Sequence, residues 1–421
     1  MKVAIVGAGV SGLVTAYILS RNHDVTIFER NAYFGGHSNT VSTTGPGGDV
    51  HLDTGFLVYN EPAYPQFSRL LAELGVATQP SDMSFSVTCE ACDLQYSSRG
   101  IAGFLSKPRS LLSPAGYRLG RDIIRFYRDA PRSIDSTELE GLTIDGYLHL
   151  RGYSSEFKRH FIVPLAAAVW SSPPDEIDAF PAAYMLRFLY NHGLVGGGNE
   201  RWRWRTVSGG SRAYVKAITD RLPNALAKTA VQRVIRGASG IELTVDGGNR
   251  VERCDVVVLA CHADEALALL ADADDRERDA LSRFSYTHNH IVLHTDGTLL
   301  PAKNAARASW NYLTDDCRRP SADLALTYHL NRLQSVWDGT DYCVSVNPRR
   351  PIDPRTIIGE FNYDHPRYTF GTLEGQRSVQ QINGLRRTFF AGAHLGHGFH
   401  EDGVASAYRV AALIDPGSSH D

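Results

Sequence analysis

Three histidines and two carboxylates lie within nine residues of the segment AGAHLGHGFHEDGVASA. His394, His397 and His400 are spaced three apart, and Glu401 and Asp402 follow directly. Imidazoles and carboxylates both bind metals, so this spacing raises the question of a metal site. The intervening glycines indicate a flexible backbone loop, whereas metal ligands are commonly anchored and backed by further contacts. We therefore favour a glycine-rich loop and keep metal binding as the alternative.

Cys89 and Cys92 form the one CxxC motif of the chain. A zinc site would need a second cysteine pair or a histidine pair, and none lies nearby in the sequence. No thioredoxin-like βαβ pattern surrounds the motif. We interpret it as a surface loop between two strands, and we predict no bound metal.

Phosphate binding is indicated by the N-terminal stretch KVAIVGAGVSGLVTAYILSRNHDVTIFER. A β-branched run predicts a strand, and GxGxxG follows with Gly7, Gly9 and Gly12 enclosing Val10 and Ser11. The first glycine permits a tight turn, the second lets the backbone approach a pyrophosphate, and the third lets a helix pack against the strand. The free N–H groups of that helix N-terminus would face the phosphates.

A second predicted strand, DVTIF, ends at Glu29, where a carboxylate can accept hydrogen bonds from ribose hydroxyls. Strand, glycine motif, helix, strand and acid in this order predict a Rossmann-like dinucleotide site of an α/β protein. The glycine motif alone does not separate NAD from FAD.

The residues after Glu29 resemble the FAD-binding signature of the flavin amine oxidase superfamily, which includes monoamine oxidases, protoporphyrinogen oxidase and phytoene desaturases. In ERNAYFGGHSNT, Arg30 follows the acid, and Gly35 and Gly36 match the paired glycines that bring a second backbone segment against FAD. His37 stands where the family often has arginine. Its role stays open between a cofactor contact and a solvent-exposed side chain in a glycine-rich turn.

The C-terminal stretch RTFFAGAHLGHGFHEDGVASAYRVAALI resembles the segment that closes over the flavin in this superfamily. The resemblance implies that Gly392 lies at the cofactor and that the N–H groups near Gly403 and Val404 point at the flavin pyrimidine edge. Asp402 is the expected N-cap of the final helix. Val231 matches the valine that meets the adenine through its backbone, with ordinary sheet packing as the alternative.

This resemblance implies a discontinuous FAD-binding domain made of residues 1–75, 200–265 and 365–421. Residues 76–199 and 266–364 would form an inserted α+β substrate-binding domain over the flavin. The long stretch DTGFLVYNEPAYPQFSRLLAELGVATQPSDMSFSV, with SGGSRAYV, ASWNYL, TYHLNRLQ and GFHEDG, is similar to bacterial predicted NAD/FAD-binding proteins often encoded beside cyclopropane-fatty-acid-synthase-like methyltransferases. That resemblance implies a methyl-branched fatty acyl chain or phospholipid as substrate, desaturation as the reaction and the methyltransferase as a partner.

The substrate site is less defined by the sequence. Residues 98–132 combine arginines with an apolar stripe of Leu119, Ile123 and Phe126, which suits either a membrane-surface helix or a solvated helix over a core. Aromatic candidates for the cavity are Trp310, Tyr312, Tyr328 and Tyr363. The lysine that amine oxidases of the superfamily place near the flavin cannot be located, and Lys303 is a poor match.

Composition excludes some classes of function. A net charge of −3 gives no overall attraction for nucleic acid. No apolar run reaches the length of about 20 residues that a spanning helix needs, which favours a cytoplasmic protein with at most peripheral membrane contact.

A catalytic base cannot be assigned, and His400, Glu401 and His288 are weak candidates. The alternatives to a desaturase are an amine oxidase that produces peroxide and a non-catalytic flavin-binding partner of the methyltransferase.

Overall fold

The structure is a computed structural model that describes residues 1–107, 112–134, 136–196, 202–319 and 323–418. Parts of the predicted features fall outside this range, namely residues 108–111 of the basic segment and residues 135, 197–201, 320–322 and 419–421 of the expected domains. No helix in the described ranges is long and apolar enough to cross a membrane.

A parallel five-stranded sheet carries the glycine motif. Its β-branched central strands are buried because helices cover one face and a three-stranded antiparallel sheet packs on the other. The helices Val10–Leu19 and His400–Ile414 pack against each other beside this sheet. In spatial order the strands are Asn224–Leu226, Asp24–Phe28, Lys2–Val6, Val256–Leu259 and Thr388–Phe390. Residues from all three expected FAD-domain segments therefore meet in one sheet.

The predicted β-meander is confirmed as the antiparallel strands Val231–Gly237, Gly240–Val245 and Arg250–Cys254. Its buried side chains share a core with the helix Asp275–Ser282, which packs on the helix Phe370–Ile382. The segment just after residue 265 was expected in the substrate domain. Its buried apolar residues pack instead in the nucleotide-side core.

A seven-stranded mixed sheet forms the second layer and is covered by helices. In spatial order its strands are Ile357–Pro366, Tyr286–His294, Cys343–Val346, Leu326–His329, Trp310–Thr314, Phe85–Cys89 and Leu94–Ser97. The helices of this layer are Pro114–Ser133, Ile144–Leu150, Ser155–Phe157, Val163–Trp170 and Ala182–Asn191, with a π-helical turn at Lys158–Ile162.

Two small sheets join these layers. One pairs Thr40–Gly45 with Gly48–Asp53, and the other contains Tyr59–Asn60, Trp204–Val207 and Thr78–Pro80. The remaining α-helices are Pro65–Glu73, Gly100–Phe104, Arg212–Thr219, Ala263–Leu269 and Leu330–Gln334.

Candidate active site

The glycine motif forms an open cradle at the N-terminus of the helix Val10–Leu19. A Cβ on Gly9 would meet nothing within 4 Å, so the backbone there is open to a ligand. A Cβ on Gly12 would lie 1.9 Å from the carbonyl oxygen of Gly7, so the helix could not pack this closely with a larger residue. Gly7 has a φ of +98°, which favours glycine. The three glycines therefore have the separate roles that the motif predicts. Val10 and Ser11 line the same cavity as Gly7 and Gly9.

Glu29 is buried at the end of its strand, 6% exposed, and lines this cavity. Its two carboxylate oxygens accept hydrogen bonds from the backbone N–H groups of Ala8 (2.9 Å) and Asn31 (2.8 Å). A carboxylate offers about four acceptor sites, so ribose hydroxyls can still bind. Arg30 also lines the cavity and forms an ion pair with Glu265 at 2.6 Å.

The paired glycines lie directly against the motif. The N–H of Gly35 donates to the Ala8 carbonyl at 2.8 Å, and a Cβ on Gly36 would lie 3.2 Å from the Cα of Gly9. His37 follows and lines the cavity rather than facing solvent. Burial, with a smaller contribution from His262, lowers the pKa of His37 to about 4, so its imidazole is neutral at pH 7.

These segments enclose a cavity of about 620 Å³. Val231 and Gly392, which the sequence assigned to the cofactor, both line it. The Gly392 N–H donates to the Ser406 hydroxyl at 3.0 Å, which ties the loop to the final helix. Predicted cofactor residues from three distant segments thus line one cavity, whereas Gly12, Asp402, Gly403 and Val404 are absent from its lining.

The final helix begins earlier than the sequence predicted. It spans His400–Ile414 with Phe399 at the N-cap, and Asp402 lies in the first turn, where its carboxylate accepts the Phe399 N–H at 2.9 Å. The N–H of Gly403 is bonded to the Phe399 carbonyl, and Val404 is fully buried in the core. The predicted role of Asp402 as N-cap is therefore wrong, and the Gly403 N–H is not open. The role of the Val404 N–H stays a prediction. The cavity is lined by His397, Gly398, Phe399 and His400 instead.

The three histidines of the loop contact different partners. His394 packs edge-on against Phe284, and His397 stacks on Tyr184 with centroids 4.2 Å apart. His400 stacks on Phe56, and its Nε2 lies 2.8 Å from the Ser38 hydroxyl and 3.0 Å from that of Tyr214. Burial lowers the pKa of His394 and of His400 to about 3. Each ring is held by its own aromatic neighbour.

The other two candidates for a catalytic base have structural partners. Glu401 accepts the N–H groups of Gln66 (3.1 Å) and Phe67 (3.0 Å) at the start of the helix Pro65–Glu73. Its carboxylate is absent from the cavity lining. His288 is exposed and pairs with Asp364.

The predicted aromatic residues divide into two groups. Trp310, Tyr328 and Tyr363 line the cavity. Trp310 and Tyr328 meet edge to face at 5.3 Å, and the Tyr363 hydroxyl lies 2.6 Å from that of Thr54. Tyr312 does not line the cavity, so its assignment was wrong. Tyr312 lies two residues beyond Trp310 on the same strand. This places it about 7 Å further from the cavity, on the side of Cys317.

Lys303 lies outside the cavity, because its ammonium donates to the Ser106 carbonyl at 2.8 Å. No lysine occurs among the described residues that line the cavity.

Sequence reasoning missed three cavity histidines. His262 and His365 surround His37, with His365 at a centroid distance of 5.3 Å and His262 at 6.5 Å. His192 lies in another part of the cavity, stacked on Phe188 at 3.7 Å. His262 had a usable signal, since it follows the buried strand Val256–Leu259, and ligands of parallel sheets bind at the carboxyl ends of strands. Nothing local marked the other two.

The residues of this cavity fit FAD. The open face at Gly9, the helix N-terminus behind it and the unused acceptor sites of Glu29 suit a pyrophosphate and a ribose. Gly35 and Gly36 bring a second backbone segment against Gly9, next to the expected pyrophosphate position.

Comparison with known proteins agrees with this geometry. The family model for flavin containing amine oxidoreductases matches residues 10–318. A 4,4'-diapophytoene desaturase (4,4'-diaponeurosporene-forming) of Staphylococcus aureus is 50% identical over 46 residues, which are 11% of this chain and 9% of that protein. The match thus spans less than a tenth of that curated relative.

Several solved structures share the fold over nearly the whole chain. The CLA-producing fatty acid isomerase from P. acnes is 19% identical with a TM-score of 0.67 and covers 98% of both chains. Wild-type putrescine oxidase bound to putrescine is 15% identical with a TM-score of 0.68, over 98% of this chain and 99% of that one. Cyclohexylamine oxidase from Brevibacterium oxydans is 16% identical with a TM-score of 0.68, over 99% of both chains.

Proposed function

This chain belongs to the family of flavin containing amine oxidoreductases and is an FAD-dependent oxidoreductase, and we propose that its substrate is a methyl-branched fatty acyl chain, free or in a phospholipid. In the proposed reaction two adjacent carbons lose one hydride and one proton, and a carbon–carbon double bond forms between them. The FAD held by the glycine cradle and Glu29 supplies the hydride acceptor, at N5.

The observation that carries this proposal is the apolar part of the cavity, which we call the apolar wall. Its aromatic rings are in direct contact, with Trp170 and Phe188 at a centroid distance of 4.8 Å. Such a surface suits an alkyl chain, because ligand pockets gain affinity by burying apolar area. The apolar wall consists of Leu57, Val58, Tyr64, Met83, Val169, Trp170, Phe188, Leu194, Trp310 and Tyr328.

Charge also favours an acyl chain over an amine. The three carboxylates among the described lining residues are Glu29, Glu265 and Asp364, and each already has a partner. Glu29 binds backbone N–H groups, Glu265 pairs with Arg30, and Asp364 pairs with His288. A cationic amine entering beside the apolar wall would be desolvated without a free carboxylate to compensate.

Two polar atoms are buried without a hydrogen-bond partner, within the described ranges, in side chains that line this surface. Nδ1 of His192 lies 2.9 Å from the Phe188 carbonyl, which only accepts, so Nδ1 carries the proton and Nε2 is an acceptor. Neither this Nε2 nor the Trp310 indole N–H has a hydrogen-bond partner among the described residues. We assign to His192 the role of taking the substrate proton and to Trp310 that of binding an acyl oxygen.

We further propose that residues 98–132 contact a membrane from which the lipid is loaded. Ile101 and Leu112 are 80% exposed and Ile124 is 75% exposed. The helix arginines contribute less than the sequence suggested, because four of them pair with carboxylates, as Arg118 does with Glu156 at 2.6 Å. The other three are Arg121, Arg125 and Arg128. The contact would therefore depend on apolar insertion more than on charge.

The activity is tested by anaerobic reduction of the bound flavin. Phospholipids with methyl-branched chains are added to the holoprotein, with unbranched phospholipids as the matched control and a panel of amines alongside. Bleaching of the visible flavin absorption by the branched lipid, with a new double bond found by mass analysis, supports the proposal. Bleaching by amines instead, or by no compound, contradicts it, and the second result favours a non-catalytic partner of the methyltransferase.

Membrane contact is tested by sedimentation with phospholipid vesicles. Ile124→Glu should reduce the bound fraction several-fold, because it adds a charge to the proposed apolar surface. Val251→Glu is the control, since Val251 is also exposed (54%) but lies in the β-meander. Equal binding of both variants would refute this surface without affecting the proposed reaction.

A further inference from the structure

Three cysteines and one histidine meet at the far end of the seven-stranded sheet. Reactive atoms of Cys89, His160 and Cys317 all lie within 4.8 Å of one another. The sulfur of Cys92 lies 3.5 Å from that of Cys317, which is in turn 3.5 Å from Nε2 of His160. Cys89, His160 and Cys317 are buried, and Cys92 is exposed. Cys89, His160 and Cys317 thus converge on one point, and the sulfur of Cys92 lies beside that of Cys317.

The sheet itself brings the cysteines together. The strands Phe85–Cys89 and Trp310–Thr314 are parallel neighbours, with Cys89 opposite Thr314. Past the strand ends, the N–H of Glu90 donates to the Thr314 carbonyl and that of Ala91 to the Asp315 carbonyl. This pairing holds the CxxC turn beside the turn that carries Cys317. The motif that looked isolated in the sequence therefore has a partner, Cys317, more than 200 residues away in the chain.

The histidine comes from the helical layer. His160 lies in the π-helical turn Lys158–Ile162, a rare element that is found frequently at functional sites. The hydroxyl of Tyr96, on the strand next to Phe85–Cys89, donates to the His160 carbonyl at 2.6 Å. This bond fixes the turn against the sheet and aims the imidazole at the three sulfurs.

We infer that Cys89, Cys92, His160 and Cys317 bind one zinc ion. Zinc in structural sites is tetrahedral, with bonds of about 2.3 Å to sulfur and 2.0 Å to nitrogen, so neighbouring ligand atoms lie about 3.5–3.8 Å apart. The two 3.5 Å contacts agree with that spacing. With four protein ligands the ion has no open position, so its role is structural.

The zinc would join the two walls of the substrate cavity. His160 is followed directly by the helix Val163–Trp170, whose last residues line the cavity. Trp310, also in the cavity lining, begins the strand that leads to Cys317. The ion would therefore fix the distance between the helical and sheet sides of the apolar wall. It binds apart from the FAD residues, so this inference does not depend on the proposed substrate.

The direct test is elemental analysis of the purified holoprotein expressed with added zinc. We expect about one zinc per chain that survives gel filtration. Binding in Cys317→Ser and His160→Ala should weaken by at least about 100-fold, since loss of a contact behind a ligand alone costs about 10–100-fold. Cys254→Ser is the matched control, because Cys254 is a buried cysteine in the β-meander, and it should retain full zinc. Zinc-free wild-type protein would overturn the inference even if the variants fail to fold.

Cobalt provides a second readout that needs no variant. After the metal is removed by a chelator, added Co²⁺ should give a thiolate-to-cobalt charge-transfer band and a tetrahedral d–d spectrum, and should restore the original melting temperature. A disulfide between Cys92 and Cys317 in freshly purified, unreduced protein would contradict a metal site. An octahedral cobalt spectrum without thiolate bands would contradict it as well.

Discussion

The glycines of the cradle differ in what they touch, and this difference can be measured. Gly12→Ala would place a methyl group 1.9 Å from the Gly7 carbonyl oxygen, so we expect a loss of about 3 kcal/mol or more in the free energy of unfolding. Gly9→Ala meets nothing within 4 Å and should leave the stability of the apoprotein within about 0.5 kcal/mol. Its methyl group would still enter the pyrophosphate position and weaken FAD binding at least about tenfold.

Denaturant unfolding of the apoproteins and flavin titration separate the two effects. If Gly9→Ala bound FAD like the wild type, the pyrophosphate would not lie against this residue. If Gly12→Ala were as stable as the wild type, the helix would have moved away from the strand.

His192 is the residue on which the proposed proton transfer depends. Burial lowers its pKa to about 4, so Nε2 is unprotonated at pH 7, although it is a weaker base than a solvated imidazole. His192→Gln should slow flavin reduction by the lipid about 100-fold or more while leaving the dissociation constant of the lipid nearly unchanged. His294→Gln is the control, because His294 is equally buried but absent from the cavity lining. Stopped-flow measurements at several lipid concentrations give both the rate constant of flavin reduction and the dissociation constant of the lipid. If the variant changed only the dissociation constant, His192 would be part of the pocket wall and not the proton acceptor.

At the scale of elements, the sequence predicted those features that depend on local residues. The strand, glycine motif, helix and Glu29 all occur within about 30 residues, so their order identifies the cradle. The prediction of where the final helix begins was wrong, because an aspartate followed by a glycine, as at Asp402, resembles an N-cap. In the structure the Asp402 carboxylate accepts the Phe399 N–H one turn back, a contact that the sequence does not distinguish from capping.

Glu401 links two elements, since its carboxylate accepts two N–H groups at the start of the helix Pro65–Glu73. Glu401→Gln removes the negative charge at that helix N-terminus and should cost about 1 kcal/mol of stability. Burial raises the pKa of Glu401, yet its carboxylate does not line the cavity, so the pH profile of flavin reduction should not change. Glu140→Gln, at an exposed position, is the control for stability. A shifted pH profile would reopen a role for Glu401 as a base.

At the scale of the whole molecule, residues that meet only through long-range pairing were beyond sequence reasoning. The strands that bear Cys89 and Cys317 are neighbours only after the seven-stranded sheet has formed. His365 approaches His37 because a strand of that sheet runs beside the cofactor segment. Tyr312 was misplaced for the same reason, since an aromatic residue in a strand does not reveal how far the cavity extends along it.

The buried histidines predict how the stability of the whole protein depends on pH. His192, His294 and His394 are each less than 9% exposed, and burial lowers their pKa values to about 4, 4 and 3. In the unfolded chain they would titrate near 6.5, so between pH 6.5 and 4 the unfolded state binds more protons. The stabilisation is complete above pH 6.5 and is lost as the pH falls, by up to about 1.4 kcal/mol per pH unit for each histidine.

Urea denaturation of the holoprotein at pH 7.0, 6.0 and 5.0 measures this slope. Most carboxylates titrate below this window, near pH 4, so a decrease between pH 6.5 and 5 reports mainly on the histidines. His294→Gln should reduce the slope by about one proton, because the substituted side chain no longer titrates. A free energy of unfolding that stays constant from pH 7 to 5 would mean that these rings remain hydrated or gain protons without unfolding, and the packing described around them would be wrong.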